Sequence, residues 1–181
     1  MADINIGNEL LDSPQPVEVD SCGCSVVPEI IEAPVKAECP ASRTLSNKVL
    51  HETLDNLIVL DKRHLISKEV QYYYCSEPDC PVVYISNPAR HGSGGEEVPV
   101  FEKSDLSVKV FSKDNQEDVH VCYCFDWTRK RITDQIKTTG SSTAFIEVTE
   151  ELKAGNCECE IKNPKGACCL SDIQNFMKEN S

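Results

Sequence analysis

Cysteine placement constrains this chain more than any other feature. Its 11 cysteines fall at Cys22/Cys24, Cys39, Cys75/Cys80, Cys122/Cys124, Cys157/Cys159 and Cys168/Cys169. Four of these groups are Cys-x-Cys or vicinal pairs. Neighbours so close cannot readily bridge each other, because a disulfide needs its Cα atoms several ångströms apart and a set torsion. They can, however, ligate a metal centre from a single loop. The count is odd, and the start, Met1 to Asp12, has neither the basic nor the apolar stretch of a secretory signal. A disulfide framework is therefore not expected. A cytoplasmic address is, and there the thiol pool keeps ordinary cysteines reduced.

Charge narrows the partners. The chain of 181 residues carries 18 Lys+Arg against 30 Asp+Glu, a formal net charge of −12. Nucleic acid and anionic membrane both need concentrated cationic side chains, so neither is an expected partner. No apolar run approaches the roughly 18 residues that would span a bilayer, so no membrane insertion is expected. More than half of the acidic excess belongs to residues 1–38, which hold eight acids, the single base Lys36 and four prolines. That stretch reads as a disordered, solvated arm whose one chemical feature is Cys22-Gly23-Cys24. Charge thus speaks first for solubility, and second for steering toward a basic face on a protein partner.

Beyond Cys39 the texture changes. Leu45, Val49, Leu50, Leu54, Leu57 and Ile58 recur at three- and four-residue spacing and predict an amphipathic helix. Val70 to Tyr74 and Val82 to Ile85 are β-branched and aromatic, with Cys75 and Cys80 at the roots of the turn between them, a hairpin pattern. Val98 to Phe101 and Leu106 to Phe111 offer two further strands, and His91 to Gly95 a loop. After Val121 the pattern becomes helical. Asp126 or Thr128 can cap a helix to about Lys137, closed by Gly140; Ser141 or Ser142 can cap a second to Lys153, closed by Gly155. Leu170, Ile173, Phe176 and Met177 mark a third. The expected class is α+β, a small β-rich part followed by a helical one.

The sharpest chemical signal is C-terminal. Cys122-Tyr123-Cys124 precedes one predicted helix start, and Cys168/Cys169 open another, with Cys159 and the run Asn163-Pro164-Lys165-Gly166 between. Helix N-termini aim unpaired N–H groups and a positive dipole end at a thiolate cluster, and N–H···S contacts tune its potential. Asn-Pro-Lys-Gly fits a type I turn that returns the chain to the metal. Four thiolates from two facing loops suit either a [2Fe–2S] cluster or Zn(Cys)₄, and cysteine count alone does not separate them.

At these residues the chain resembles a known family. Cys122-Tyr123-Cys124, Asn156-Cys157-Glu158-Cys159 and Asn163-Pro164-Lys165-Gly166-Ala167-Cys168-Cys169 look like the iron–sulfur half of CopZ-type copper chaperones. Its helix–loop–helix plan is similar to that of bacterioferritin-associated ferredoxin. Tyr73-Tyr74-Cys75-Ser76-Glu77-Pro78-Asp79-Cys80-Pro81-Val82-Val83-Tyr84 resembles the zinc-binding half of the same family, and Phe101 to Leu106 fits the connecting strands. The resemblance implies a zinc-binding β-rich domain over 39–115 and a helical [2Fe–2S] domain over 116–181. Residue by residue, it carries over Cys122, Cys124 and Cys159 as cluster ligands, with Cys157 as the alternative to Cys159. For the fourth, Cys169 is preferred to Cys168, because a helix starting there turns Cys169 inward with Ile173 and Phe176.

For zinc, the resemblance gives Cys75, Cys80 and Cys39. Here the chain departs from the family's Cys-Pro-x-Cys and reads Cys39-Pro40-Ala41-Ser42. Structural zinc is nearly always four-coordinate, so the fourth position is open to His51, His64 or a cysteine of the Cys22/Cys24 arm. That arm pair is also a candidate soft-metal site for Cu⁺. The Met-x-Cys-x-x-Cys copper loop of the family's best-known members does not occur in the sequence, so relay through that loop is not transferred.

Motifs of hydrolases and nucleotide enzymes (a nucleophile elbow, a metalloprotease helix, a P-loop, a dinucleotide glycine fingerprint) do not occur either. The four histidines are scattered; His120, two residues before Cys122, can tune a cluster by proximity. The expected function is a one-electron iron–sulfur carrier with an accessory zinc site, acting in copper or other metal handling. It is a carrier rather than a catalyst, with at most a metal-ion reductase activity, and its partner is a redox or metal-transport protein. The contrasting reading is a docking module in which zinc and cluster only staple a small fold.

Overall fold

A five-stranded antiparallel meander opens the fold seen in the computed structural model, which describes residues 33–86 and 100–181. Strands β1 (Lys36–Glu38), β2 (Leu45–Val49), β3 (Tyr72–Tyr74), β4 (Val82–Ser86) and β5 (Phe101–Glu102) lie across the sheet in chain order. Register is set at the centre by Lys48 opposite Tyr73 and Tyr73 opposite Ile85. Successive side chains point to opposite faces. Tyr73 and Ile85 join Ala37, Val82 and the three cysteines Cys39, Cys75 and Cys80 on one side. Tyr72, Tyr74, Tyr84 and Phe101 pack on the other with Val49, Leu54 and Ile58. Strand β1 falls inside the stretch that composition marks as a disordered arm, and its pairing with β2 gives that segment's end regular structure.

The predicted helix from Leu45 to Ile58 is half strand. Only α1 (His51–Leu57) is helical. Leu45 and Leu50 are 60% and 48% exposed, so two members of the apparent apolar stripe face water. The backbone of Leu45–Val49 is satisfied instead by ladders to β1 and β3, a tertiary pairing that local spacing does not encode. The strand expected over Leu106–Phe111 is a correction too. Leu106 makes a single bridge to Ile58, and Val110 N–H is taken by the Asp114 carboxylate at 2.7 Å. Of the strand expected over Val98–Phe101, Phe101 falls in β5; Val98 and the His91–Gly95 loop lie outside the described residues.

The C-terminal part starts with a short hairpin, β6 (His120–Cys122) and β7 (Trp127–Thr128), whose loop carries Cys124. Helices α2 (Arg129–Thr139), α3 (Ala144–Lys153), α4 (Cys159–Lys162) and α5 (Leu170–Glu179) follow. Thr128 Oγ1 accepts from Arg131 N–H at 3.2 Å to cap α2, and Gly140 closes it in the left-handed conformation at φ 84°. Ser142 Oγ accepts from Ala144 N–H at the start of α3. Val121, Trp127, Ile132, Ile136, Val148 and Ile173 form the core between these elements. Among the described residues no helix is long and apolar enough to cross a membrane.

Both parts belong to one unit, Glu32–Ser181, and meet across α1, β4 and the α4 segment. Thr53 donates its hydroxyl to the Glu160 carbonyl, and Tyr84 donates to the Pro164 carbonyl at 2.9 Å.

Candidate metal centres

The first centre forms where three turns converge on one face of the sheet. Cys39 follows β1, Cys75 follows β3, and Cys80 precedes β4. Their Sγ atoms all lie within 4.8 Å of one another, with Cys39 to Cys80 at 3.9 Å. All three are buried, at 0%, 0% and 5% exposure. Ser42, at the position where the sequence breaks the Cys-Pro-x-Cys pattern, brings its Oγ to 3.4 Å from Cys75 Sγ. Burial pushes the Cys39 thiol up, but hydrogen bonds from the Ser42 hydroxyl and from the Ser42 and Ala41 backbone outweigh it, bringing Cys39 down to about 7. Burial leaves the Cys75 thiol raised. Three convergent, water-excluded sulfurs with a hydroxyl on their flank form a donor set suited to a thiophilic ion such as Zn²⁺.

Among the described residues, the histidine candidates for the fourth position do not join the trio. His51 Nε2 is 2.8 Å from the Val70 carbonyl and its ring lies edge-on to Tyr72. Neither His51 nor His64 joins the cysteine group. Cys22 and Cys24 lie outside the described residues. One neighbour had no announcing signal in the sequence. Lys113 is 7% exposed, and its ammonium donates to the Glu77 and Cys80 carbonyls, clamping the Cys75–Cys80 turn from beneath. It places a positive charge close to Cys75.

The second set of thiols is strung out rather than gathered. Cys122 and Cys124 come from the β6–β7 hairpin, Cys159 opens α4, and Cys169 is the N-cap of α5. Cys124 Sγ lies 3.7 Å from Cys159 Sγ, and Cys169 shares a buried cluster with Cys159 and Cys122. The Glu158 N–H donates to Cys124 Sγ at 3.4 Å, and the Cys124 and Phe125 amides beside Cys122 and the Cys169 amide beside Cys159 favour the thiolate there. The Cys169 hydrogen bond, with those amides, outweighs burial and brings Cys122 down to about 7. Cys159 is lowered by hydrogen bonds from Cys124 and Cys169, while those two partners are raised as the proton-bearing sides of the same contacts.

Cys122, Cys159 and Cys169 are buried and Cys124 is half-buried, whereas Cys168 is exposed. Cys157 is half-buried beside Cys159, and burial raises it to about 11. An open groove of about 620 Å³ runs past Cys157, Cys159 and Cys168, walled by Leu152 and Ile161. His120 sits on β6 with Nε2 2.7 Å from the Asp126 carboxylate and its ring stacked on Tyr123.

Residues 36–91 match the model of a zinc binding domain of the CopZ type. Over 132 residues the chain is 32% identical to the copper chaperone CopZ of Archaeoglobus fulgidus, a match covering 72% of this chain and 57% of that protein. The chain thus spans little more than half of that relative's length. Its fold is similar to the X-ray structure of the Archaeoglobus fulgidus CopZ N-terminal domain, with a TM-score of 0.61 at 28% identity. That likeness covers 77% of this chain and 97% of the other. This protein carries a CopZ-like region with a CopZ-type zinc-binding domain, and the buried trio Cys39, Cys75 and Cys80 lies within it.

Proposed function

We propose that this protein is a one-electron carrier in metal handling, with a [2Fe–2S] cluster held by Cys122, Cys124, Cys159 and Cys169 and a zinc ion held by Cys39, Cys75 and Cys80. The observation that carries the reading is the packing of these four thiols into one cluster, with Cys124 Sγ 3.7 Å from Cys159 Sγ and the Glu158 N–H donating to Cys124. This donor set fits the group: all four are thiols, one of them accepts from the Glu158 N–H, and the sulfurs spread wider than the compact trio of the first centre. When bound, such a cluster exchanges single electrons. This chain's own residues bury three of its thiols, orient them from three separate elements and leave Cys124 near the surface.

Copper enters as substrate. The relative's name, copper chaperone, supports Cu²⁺ or Cu⁺ as the metal handled and a metal-transport protein as the partner; reduced thiols suit a cytoplasmic setting. Thiol donors favour the monovalent ion. The test is anaerobic purification with metal analysis and spectroscopy. Two irons per chain, a brown protein bleached by dithionite and a spin-half signal on reduction are expected. A colourless protein holding zinc alone overturns the reading and leaves the metal-stapled docking module.

A further inference from the structure

The segment from Cys159 to Cys169 supplies two thiols of the second centre, yet much of what fixes it comes from the zinc-binding half. Thr53, fully buried on α1, gives its hydroxyl to the Glu160 carbonyl. Asn56, also on α1, reaches the Ile161 carbonyl. Tyr84 on β4 is fully buried and donates its phenol to the Pro164 carbonyl at 2.9 Å. A buried phenol needs a partner, and here it finds one 80 residues away in sequence. Gly166 stands at φ 62° with Val49 so near that a Cβ there would meet Val49 Cγ1 at 3.0 Å. Within the segment Asn163 only ties the turn to itself, bonding the Ala167 carbonyl and the Lys165 N–H.

We infer that Thr53, Tyr84 and Val49 are positioning residues for the second centre, and that the sheet of the zinc-binding half is the template against which Cys159 and Cys169 are set. The inference rests on the reading of those two cysteines as cluster ligands. Tyr84 stands on the strand that follows Cys80, and Tyr74, which precedes Cys75, packs its ring against Tyr84 at 6.3 Å. The template is therefore continuous with the turn that bears the first centre.

The test measures amide hydrogen exchange and iodoacetamide labelling in the full chain, comparing wild type with Tyr84→Phe, Thr53→Val and Thr53→Ser. Tyr84→Phe and Thr53→Val should speed exchange at the Asn163 and Gly166 amides, and labelling of Cys159, by about tenfold, as expected when a buried carbonyl loses its donor. The β3–β4 amides should keep their rates, and Thr53→Ser should restore the wild-type pattern. Unchanged rates in the Cys159–Cys169 segment, or an equal rise at every amide, overturn the inference. Iron content of the same wild-type preparation reads the electron-carrier proposal separately.

Discussion

At the scale of single residues, Ser42 decides how complete the first centre is. Its hydroxyl already lies 3.4 Å from Cys75 Sγ on the flank of the trio, so little backbone movement separates it from the position of a ligand. Thiolate binds zinc far better than a neutral hydroxyl. Ser42→Cys should therefore tighten zinc binding by about tenfold or more, read by competition with a chromophoric chelator. An unchanged affinity would show that residue 42 stands outside the coordination sphere. Lys113 sets the opposite lesson. In Phe111-Ser112-Lys113-Asp114 it looks like one more surface lysine, and only the fold reveals that it is buried beneath the cysteine turn. The cysteines were legible because their spacing is their chemistry. The serine's place and the lysine's burial depend on contacts across more than 30 residues, which no local pattern records.

At the scale of elements, helix α2 followed its punctuation, whereas α3 starts after Thr143, one residue beyond the expected Ser141 or Ser142 cap. Thr128 and Gly140 bound α2 where capping chemistry puts them, and Thr128→Ala should lower stability by about 1 kcal/mol in urea unfolding. Strand β2 and helix α4 were not legible for different reasons. Strand β2 is written in residues that also suit a helix and is chosen by its two neighbours. Helix α4 has four residues, too few for any period to show, and is held by α1. The irregular connectors rely on carboxylates. Burial would raise Asp105 and Asp114, but bonds from Lys62 and the Glu102 amide to the first, and from the Val110 amide and Lys103 to the second, hold both below the ordinary range. Because the folded values are depressed, their stabilisation is complete above the unfolded value of about 3.9 and is lost as pH falls through the folded values. On their account the urea midpoint should stay constant between pH 7 and 5 and should decline below about pH 4. Asp105→Asn should flatten that acid limb; a limb as steep as in wild type would exclude Asp105 as its source.

At the scale of the whole molecule, the two halves share buried contacts through Thr53, Tyr84 and Val49 rather than a linker. Removing metal from Cys39, Cys75 and Cys80 should therefore lower the unfolding temperature of both halves together, as one calorimetric transition shifted down. Two separate transitions, with the helical one unmoved, would show that the halves melt independently. The net charge of −12 now matters less as a guide to partners than the groove beside Cys157 and Cys168, where apolar walls and thiols share one face. Cys169 turns inward at the start of α5 while its neighbour Cys168 faces water, so adjacent thiols in one chain have opposite fates on the bench. In air, Cys168 of two molecules can give up two protons and two electrons to dioxygen and join them as a disulfide-linked dimer. That dimer should run as a doubled band on a non-reducing gel, vanish with Cys168→Ser, and leave the inward thiols as they were.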